Sequence, residues 1–159
     1  MGVAGSGKTT IGKLLASRLG WRFYDADNFH SATNRTKMAT DLPLTDSDRV
    51  DWLTVLQTLI LSQLEKKNSI VLACSALKEA YRKILQVSSE VGFVYLKGTH
   101  AQIKDRLSQR KSHYMSAAML DSQFEILEEP ARALTIDITL DPSIIIDTIC
   151  NELKLQPAA

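Results

Sequence analysis

The chain has 159 residues, of which 45% are hydrophobic and 23% are charged, and this composition is typical of one folded domain with an apolar core. Nineteen Lys and Arg residues nearly balance eighteen Asp and Glu residues, so the formal net charge is +1. This charge argues against nucleic acid or an anionic membrane as the partner, and no apolar run reaches the ~18 residues that span a bilayer. Cys74 and Cys150 lie far apart, without a Cys/His cluster, which favours a reducing, cytoplasmic setting without a disulfide or metal framework.

The first half of the chain alternates between helical and extended patterns. Apolar residues from Ile11 to Leu19 recur at the spacing of one helix face, and Gly20 is typical of a helix C-cap. Thr45 and Asp48 approximate a capping box at the start of a longer helix. The elements predicted here are a helix ending at Gly20, a strand over residues 21–24, an irregular excursion over about 28–50 whose first part, 28–45, lacks any clean period, and a helix from about Thr45 to Lys67.

The second half continues the alternation. Residues 70–74 are a continuous apolar run of strand length, as in a parallel strand that is buried on both faces. Asp141 and Pro142 are a suitable cap and first residue for the last helix. The other predicted elements are a helix over 78–86, a strand over 93–96, a helix through Leu107, a helical segment from about 117 and a strand over 136–140. The sequence therefore predicts a single doubly wound α/β domain over 1–159, with a parallel sheet and helices on both faces.

A glycine-rich segment at the start of the chain fits the pattern GxxxxGK[ST] over residues 2–9. Glycines allow a tight turn in which successive backbone N–H groups point at phosphate oxygens, and the following helix adds its positive end. We expect Lys8 to reach the β- and γ-phosphates of ATP and to act in catalysis, and Thr9 to ligate Mg²⁺. The predicted nucleotide-binding residues are Gly2, Val3, Ala4, Gly5, Ser6, Gly7, Lys8, Thr9 and Thr10.

Two acidic residues, Asp25 and Asp27, follow the first predicted strand. At a strand end beside a P-loop, one carboxylate can help to hold hydrated Mg²⁺ while the other accepts a proton from an attacking hydroxyl. We assign the metal role to Asp25 and the catalytic, acceptor-side role to Asp27. The base-reading motif Asn-Lys-x-Asp of GTPases is absent from the sequence, and the 70–74 strand ends without the acid that ATPase motors usually place there. The pattern favours a kinase of small molecules.

The sequence resembles the gluconate kinases, P-loop kinases related to shikimate kinase, over nearly its whole length. Residues 24–30 (YDADNFH) and 43–49 (PLTDSDR) are specific to that family, whereas the P-loop is generic. The resemblance also covers Asn34, Lys37-Met38, Trp52-Leu53, 73–78, 81–82, 113–115, 122–124 and 127–130. It implies transfer of a phosphoryl group from ATP to the 6-hydroxyl of D-gluconate, and a homodimer. Another small-molecule or nucleotide kinase of this architecture, and a nucleotide-binding protein without catalysis, remain as alternatives.

Gluconate is an open-chain polyol that ends in a carboxylate, so its site needs a cation and several polar groups. The candidates in the excursion are His30, Asn34, Lys37 and Arg49. Arg49 is the first choice for the carboxylate because its planar fork matches that group, and the alternative is a salt bridge to an acid at the helix start. For His30 the alternative is a structural hydrogen bond, and for Lys37 it is a solvated surface position.

A basic stretch before residue 117 resembles the lid of such kinases, over about 109–120. Arg106 and Arg110 are four residues apart and share one helix face. The resemblance implies that Arg110 closes over the transferring phosphate and neutralises its developing charge, and the alternative is a solvated basic face.

The strand that normally precedes a P-loop has only Met1 in its place. In relatives this strand lies between those that correspond to 70–74 and 93–96. We therefore expect a missing first, central strand, two strand edges left facing each other, and a longer native protein with a Val/Ile/Leu-rich segment before Met1.

Overall fold

The computed structural model describes residues 1–40, 42–109 and 117–158. The helices in these ranges are α1 (Lys8–Leu19), α2 (Ala32–Ala39), α3 (Asp46–Glu65), α4 (Glu79–Leu85), α5 (His100–Ser108), α6 (Ala117–Glu125) and α7 (Pro142–Glu152). The strands are β1 (Arg22–Asp25), β2 (Ile70–Ala73), β3 (Val94–Lys97) and β4 (Leu134–Asp137), and a 3-10 helix covers Ala26–Phe29. None of the described helices is both long and apolar enough to cross a bilayer.

The four strands form two parallel pairs, β1 with β2 and β3 with β4. Met1 lies between them: its amino group donates to the Val94 carbonyl, and its carbonyl accepts from the Leu96 amide at 3.0 Å. The Gly2 amide donates to the Ser75 carbonyl, just beyond β2, at 3.1 Å. Met1 and Gly2 thus bridge the pairs, and a cleft of about 890 Å³ lined by β2 and β3 occupies the rest of the gap. The parallel α/β fold is confirmed.

Helices cover both faces of the strands. Val71 and Val94 pack against a core built from α1, α5 and α7, whereas the adjacent residues Leu72 and Phe93 pack against a second core built from α3 and α4. Consecutive strand residues point to opposite faces, so these two cores are the two layers around the strands. Buried leucine and isoleucine side chains dominate both cores, including Leu15, Ile103, Ile149, Leu56 and Leu85.

Two sequence predictions need correction. The excursion after β1 is not irregular throughout, because it contains the 3-10 helix and α2. Helix α2 has no apolar stripe, and it starts where the Ser31 side chain accepts the Asn34 amide as an N-cap. The last strand spans 134–137 rather than 136–140, because the Asp137 carboxylate accepts the Thr139 amide at 2.7 Å and turns the chain there.

Candidate active site

The P-loop is a compact turn between Met1 and α1. Gly5 and Gly7 adopt φ angles of +84° and +98°, which favour glycine, and a Cβ at Gly5 would lie 2.9 Å from the Leu107 side chain. Gly7 is the N-cap of α1 and offers no side-chain cap. The first N–H groups of α1 are therefore not covered by a capping side chain, which suits the end of a helix that binds phosphate.

Two side-chain bonds hold this loop in shape. The Lys8 ammonium donates to the Val3 carbonyl at 2.9 Å, so its side chain lies back across the loop. The Gln123 side-chain oxygen accepts the Ala4 amide at 2.7 Å and ties α6 to the loop. Sequence reasoning gave no role to Gln123, because no spacing signal links residues 119 positions apart.

Thr9 and Asp25 meet where β1 ends beside α1. The Thr9 hydroxyl donates to Asp25 Oδ2 at 2.9 Å, and Asp25 Oδ1 accepts the Asp27 amide at 3.1 Å. A hydroxyl and a carboxylate next to a phosphate-binding loop are the hard oxygen donors that Mg²⁺ takes together with substrate phosphates. These two residues therefore fit a magnesium site.

Asp27 lies on the 3-10 helix directly after β1, and its side chain is open to solvent. Surrounding protein nevertheless removes part of its hydration, and this raises the pKa of its carboxyl above the usual 3.8. The Asp25 carboxylate raises the same pKa further, and Lys8 opposes the shift. A carboxylate with a raised pKa is a better proton acceptor than an ordinary aspartate, which suits a general base.

His30 is buried beneath the same excursion. Its ring stacks on the Trp52 indole with centroids 4.4 Å apart, and the indole N–H donates to the Ala26 carbonyl at 2.8 Å. Burial lowers the pKa of His30 from 6.5 to about 4, and Arg49 and Arg35 add to the shift. The ring is therefore neutral at pH 7, and its buried Nδ1 has no hydrogen-bond partner among the described residues.

The depressed pKa of His30 predicts a loss of stability in acid. Between pH 6.5 and 4 the unfolded chain binds a proton at this residue that the folded chain does not. The free energy of unfolding therefore decreases as the pH is lowered through this range. The loss amounts to up to about 3 kcal/mol and is complete below the folded pKa. We expect urea unfolding at pH 7 and pH 4 to show this loss in the wild type and a smaller loss in His30→Gln.

Other groups also titrate, among them Asp27, the Met1 amino group and Asp48, but the variant keeps all of them. The Met1 amino group has its pKa lowered to about 5 by burial, and Asp48 has its pKa lowered to about 2, chiefly by Lys37. Only the difference between wild type and His30→Gln reports His30. Equal acid sensitivity of the two proteins would contradict this assignment.

Asn34 and Lys37 lie together on α2, facing the start of α3. The Asn34 side-chain amide donates to the Asp48 carbonyl at 2.6 Å, and the Lys37 ammonium pairs with Asp48 Oδ1 at 2.7 Å. Asp48 also completes the predicted capping box with Thr45. Lys37 is thus not a fully solvated surface residue, and both side chains fix α2 against α3.

Arg49 follows Asp48 on α3 and contacts a different set of residues. Its Nη1 donates to the Leu44 and Thr45 carbonyls, and its guanidinium carbon lies 5.6 Å from the centre of the Tyr81 ring. The expected alternative, a salt bridge at the helix start, is not found for Arg49 among the described residues, because Asp46 pairs with Lys78 and Asp48 with Lys37. The Arg49 charge is thus not matched by a protein carboxylate there.

The predicted lid lies mostly outside the described residues. Arg110 is in the range 110–116, which the structure does not describe, so its role stays a prediction. Arg106 is described: it donates to the Ile138 carbonyl, and its Nη1 would lie 4.0 Å from a Cβ on Gly7. The basic helix face thus reaches the P-loop through Arg106.

Comparison with known proteins agrees with this geometry. The shikimate kinase family model matches residues 4–143. A probable gluconokinase of Mus musculus is 44% identical, over 91% of this chain and 89% of its own length. Two crystal structures are also similar: an unliganded sugar kinase from Janibacter (38% identity, TM-score 0.91, covering 99% of this chain and 93% of that one) and a gluconokinase from Sinorhizobium meliloti 1021 (33%, 0.86, 97% and 89%).

The sequence relatives match nearly the whole chain, and both structures superpose on nearly all of it. The P-loop from residue 4 onwards, the acidic pair at the end of β1 and the excursion that follows lie within the region that the family model matches. The chain therefore belongs to the gluconokinase family of P-loop kinases, within the shikimate kinase fold family.

Proposed function

We propose that this protein transfers the γ-phosphoryl group of ATP to the 6-hydroxyl of D-gluconate, giving ADP and 6-phospho-D-gluconate. The observation that carries the proposal is the position of the Asp27 carboxylate, whose backbone amide is held by Asp25 at the end of β1 beside the P-loop. The gluconokinases among the relatives support gluconate as the acceptor.

The chain's own residues divide the reaction between them. The P-loop amides of residues 2–9 and the first turn of α1, with Thr10, cradle the ATP phosphates, and Lys8 compensates the charge on the transferring group. Asp27 accepts the proton of the 6-hydroxyl. At the same time the oxygen of that hydroxyl bonds to the γ-phosphorus, and the bond from this phosphorus to the ADP oxygen breaks. Thr9 and Asp25 would hold Mg²⁺, which would supply further neutralisation of the phosphate charge. Arg110 is our candidate for the closing cation.

The excursion after β1 provides the residues that bind the acceptor, gluconate. The buried His30 Nδ1 has no partner among the described residues and suits a substrate hydroxyl, since an unpaired buried polar atom is costly. Arg49 suits the carboxylate because no described carboxylate pairs with it. Asn34 and Lys37 complete the acceptor site, because their contacts with Asp48 set the position of α3.

A substrate panel tests this proposal. The purified protein is assayed for ADP release with ATP and Mg²⁺ on D-gluconate, shikimate and nucleoside monophosphates. We expect turnover on gluconate and little on the other acceptors. Preferred turnover of shikimate or a nucleotide would show that gluconate is not the acceptor. ATP binding without turnover on any acceptor would instead favour a non-catalytic nucleotide-binding protein.

Replacing Arg49 by alanine tests the carboxylate contact. We expect the KM for gluconate to rise at least tenfold, about 1.4 kcal/mol or more, because the substrate carboxylate loses its hydrogen bonds to the Arg49 guanidinium. The KM for ATP should stay within about twofold of the wild type. Steady-state kinetics with each substrate varied in turn measure both, and Arg18→Ala, an exposed arginine paired with Asp147, is the matched control. Equal rises in both constants would indicate a structural role for Arg49.

The proposal extends to assembly and location. We propose a cytoplasmic homodimer that engages neither nucleic acid nor membranes, supported by the family resemblance and by the formal net charge of +1. Exposed apolar residues on α3, among them Val55 and Leu61, would suit a partner copy. Light scattering coupled to gel filtration tests this, and a monomeric mass at micromolar concentration would contradict it.

A further inference from the structure

A second opening lies beside Arg49. A cleft of about 490 Å³ is bounded by residues 43–47 at the start of α3, by Arg49, by Lys78 just before α4 and by one side of α6. We call it the Arg49–Lys78 cleft. Gln123 of α6 lines it and also bonds the P-loop amide of Ala4, so the cleft shares a wall with the phosphate-binding loop.

Two cations that line this cleft lie near one aromatic ring, that of the buried Tyr81. The Arg49 guanidinium carbon lies 5.6 Å from the centre of the Tyr81 ring, and the Lys78 ammonium lies 5.8 Å from the same centre. Among the described residues that line the cleft, Asp46 carries the single carboxylate. The cleft therefore holds one positive charge more than its own side chains balance, which favours an anionic ligand.

The Lys78 ammonium already shows how a carboxylate binds here. It lies 2.7 and 2.8 Å from the two oxygens of Asp46, and the Tyr81 hydroxyl donates to the same carboxylate. The Lys78 side chain is 26% exposed, whereas that of Asp46 is 64% exposed. The lysine is thus the more buried partner of this ion pair.

We propose that Lys78 is a specificity residue of the acceptor site, which binds the carboxylate of the acid substrate jointly with Arg49, while Asp46 occupies its ammonium when no acceptor is bound. This inference rests on the proposed function. It adds to Arg49 a second cation, contributed by the segment between β2 and α4 rather than by the excursion.

Two cations explain how the site distinguishes an aldonic acid from the corresponding neutral polyol. D-Glucitol has the same chain of hydroxyls, but its terminal alcohol cannot neutralise the cleft. Specificity is a difference of affinities, and only gluconate gains the contacts with Arg49 and Lys78. Removal of the Lys78 charge should therefore weaken gluconate binding selectively, with little effect on the binding of glucitol.

The test compares wild type, Lys78→Met, Lys78→Arg, Asp46→Asn and the control Lys83→Met, whose exposed lysine pairs with Glu79 on α4. Three quantities are measured: the KM values for gluconate and ATP, and the inhibition constant of D-glucitol against gluconate turnover. In Lys78→Met we expect the gluconate KM to rise at least tenfold, while the ATP KM and the glucitol constant stay within about twofold. Lys78→Arg should recover part of the loss, and Lys83→Met should match the wild type.

The Asp46→Asn variant separates binding from structure. If the role of Lys78 is only structural, through its ion pair with Asp46, then Lys78→Met and Asp46→Asn both raise the gluconate KM. That result overturns the inference. If Lys78 binds substrate, Asp46→Asn removes a competing carboxylate and the gluconate KM falls. A Lys78→Met enzyme with an unchanged gluconate KM, or with equal rises for gluconate and glucitol, also overturns it. Failure of the wild type to phosphorylate gluconate is a separate result, which overturns the proposed function itself and this inference with it.

Discussion

Asp27→Asn should reduce kcat for gluconate phosphorylation by about 10²–10⁴-fold, because the amide cannot accept the proton of the attacking hydroxyl. The substitution keeps the shape of the side chain and leaves the backbone bond from Asp27 to Asp25 in place. The affinity for ATP should stay within about twofold, since Asp27 acts on the acceptor. Steady-state kinetics and calorimetric titration with a non-hydrolysable ATP analogue measure the two quantities.

A matched control is Asp147→Asn, the same change at an exposed carboxylate on α7 that pairs with Arg18. It should leave kcat unchanged. If Asp27→Asn retains more than a tenth of the wild-type kcat, a loss below about 1.4 kcal/mol, Asp27 is not the proton acceptor.

Lys8→Met should lower kcat by about 10²–10³-fold, as expected when one preorganised charge is withdrawn from the transferring group. A smaller loss of ATP affinity should accompany it, because Lys8 also donates to the Val3 carbonyl and helps to shape the loop. Since the interaction is strongest with the transition state, kcat should fall more than ATP binding.

Lys13→Met is the control for Lys8, because Lys13 lies on the same helix with its ammonium 5.9 Å from the Phe23 ring. It should leave both kcat and ATP affinity near the wild-type values. A loss of ATP affinity with kcat unchanged in Lys8→Met would mean that Lys8 binds ATP equally well in the ground state and the transition state. Thermal melting of both variants checks that each one is folded.

The sequence predicted those parts of the fold that depend on local patterns. The α1 stripe with its Gly20 cap, the Thr45–Asp48 capping box and the parallel strands all follow from spacing and turn chemistry, and the structure contains each of them. Helix α2 escaped prediction because a short polar helix has no periodic apolar face.

The side-chain partners within the site could not be read from the sequence. Asp46 and Asp48 are both near Arg49 in the chain, yet their oxygens pair with Lys78 and Lys37. These ion pairs depend on how α3 packs against α2 and α4, which are tertiary contacts with no local signal. The stacking of His30 on Trp52 and the bond from Gln123 to the P-loop depend on tertiary packing in the same way.

The position of the new phosphate bond tests the central claim most directly. The wild-type protein is incubated with ATP, Mg²⁺ and D-gluconate, and the product is examined by proton-coupled phosphorus NMR. Transfer to the 6-hydroxyl places phosphorus next to a CH₂ group, so we predict a signal split by two protons. A signal split by one proton would place the phosphate on a secondary hydroxyl, and the absence of any phosphorylated gluconate would contradict the account altogether.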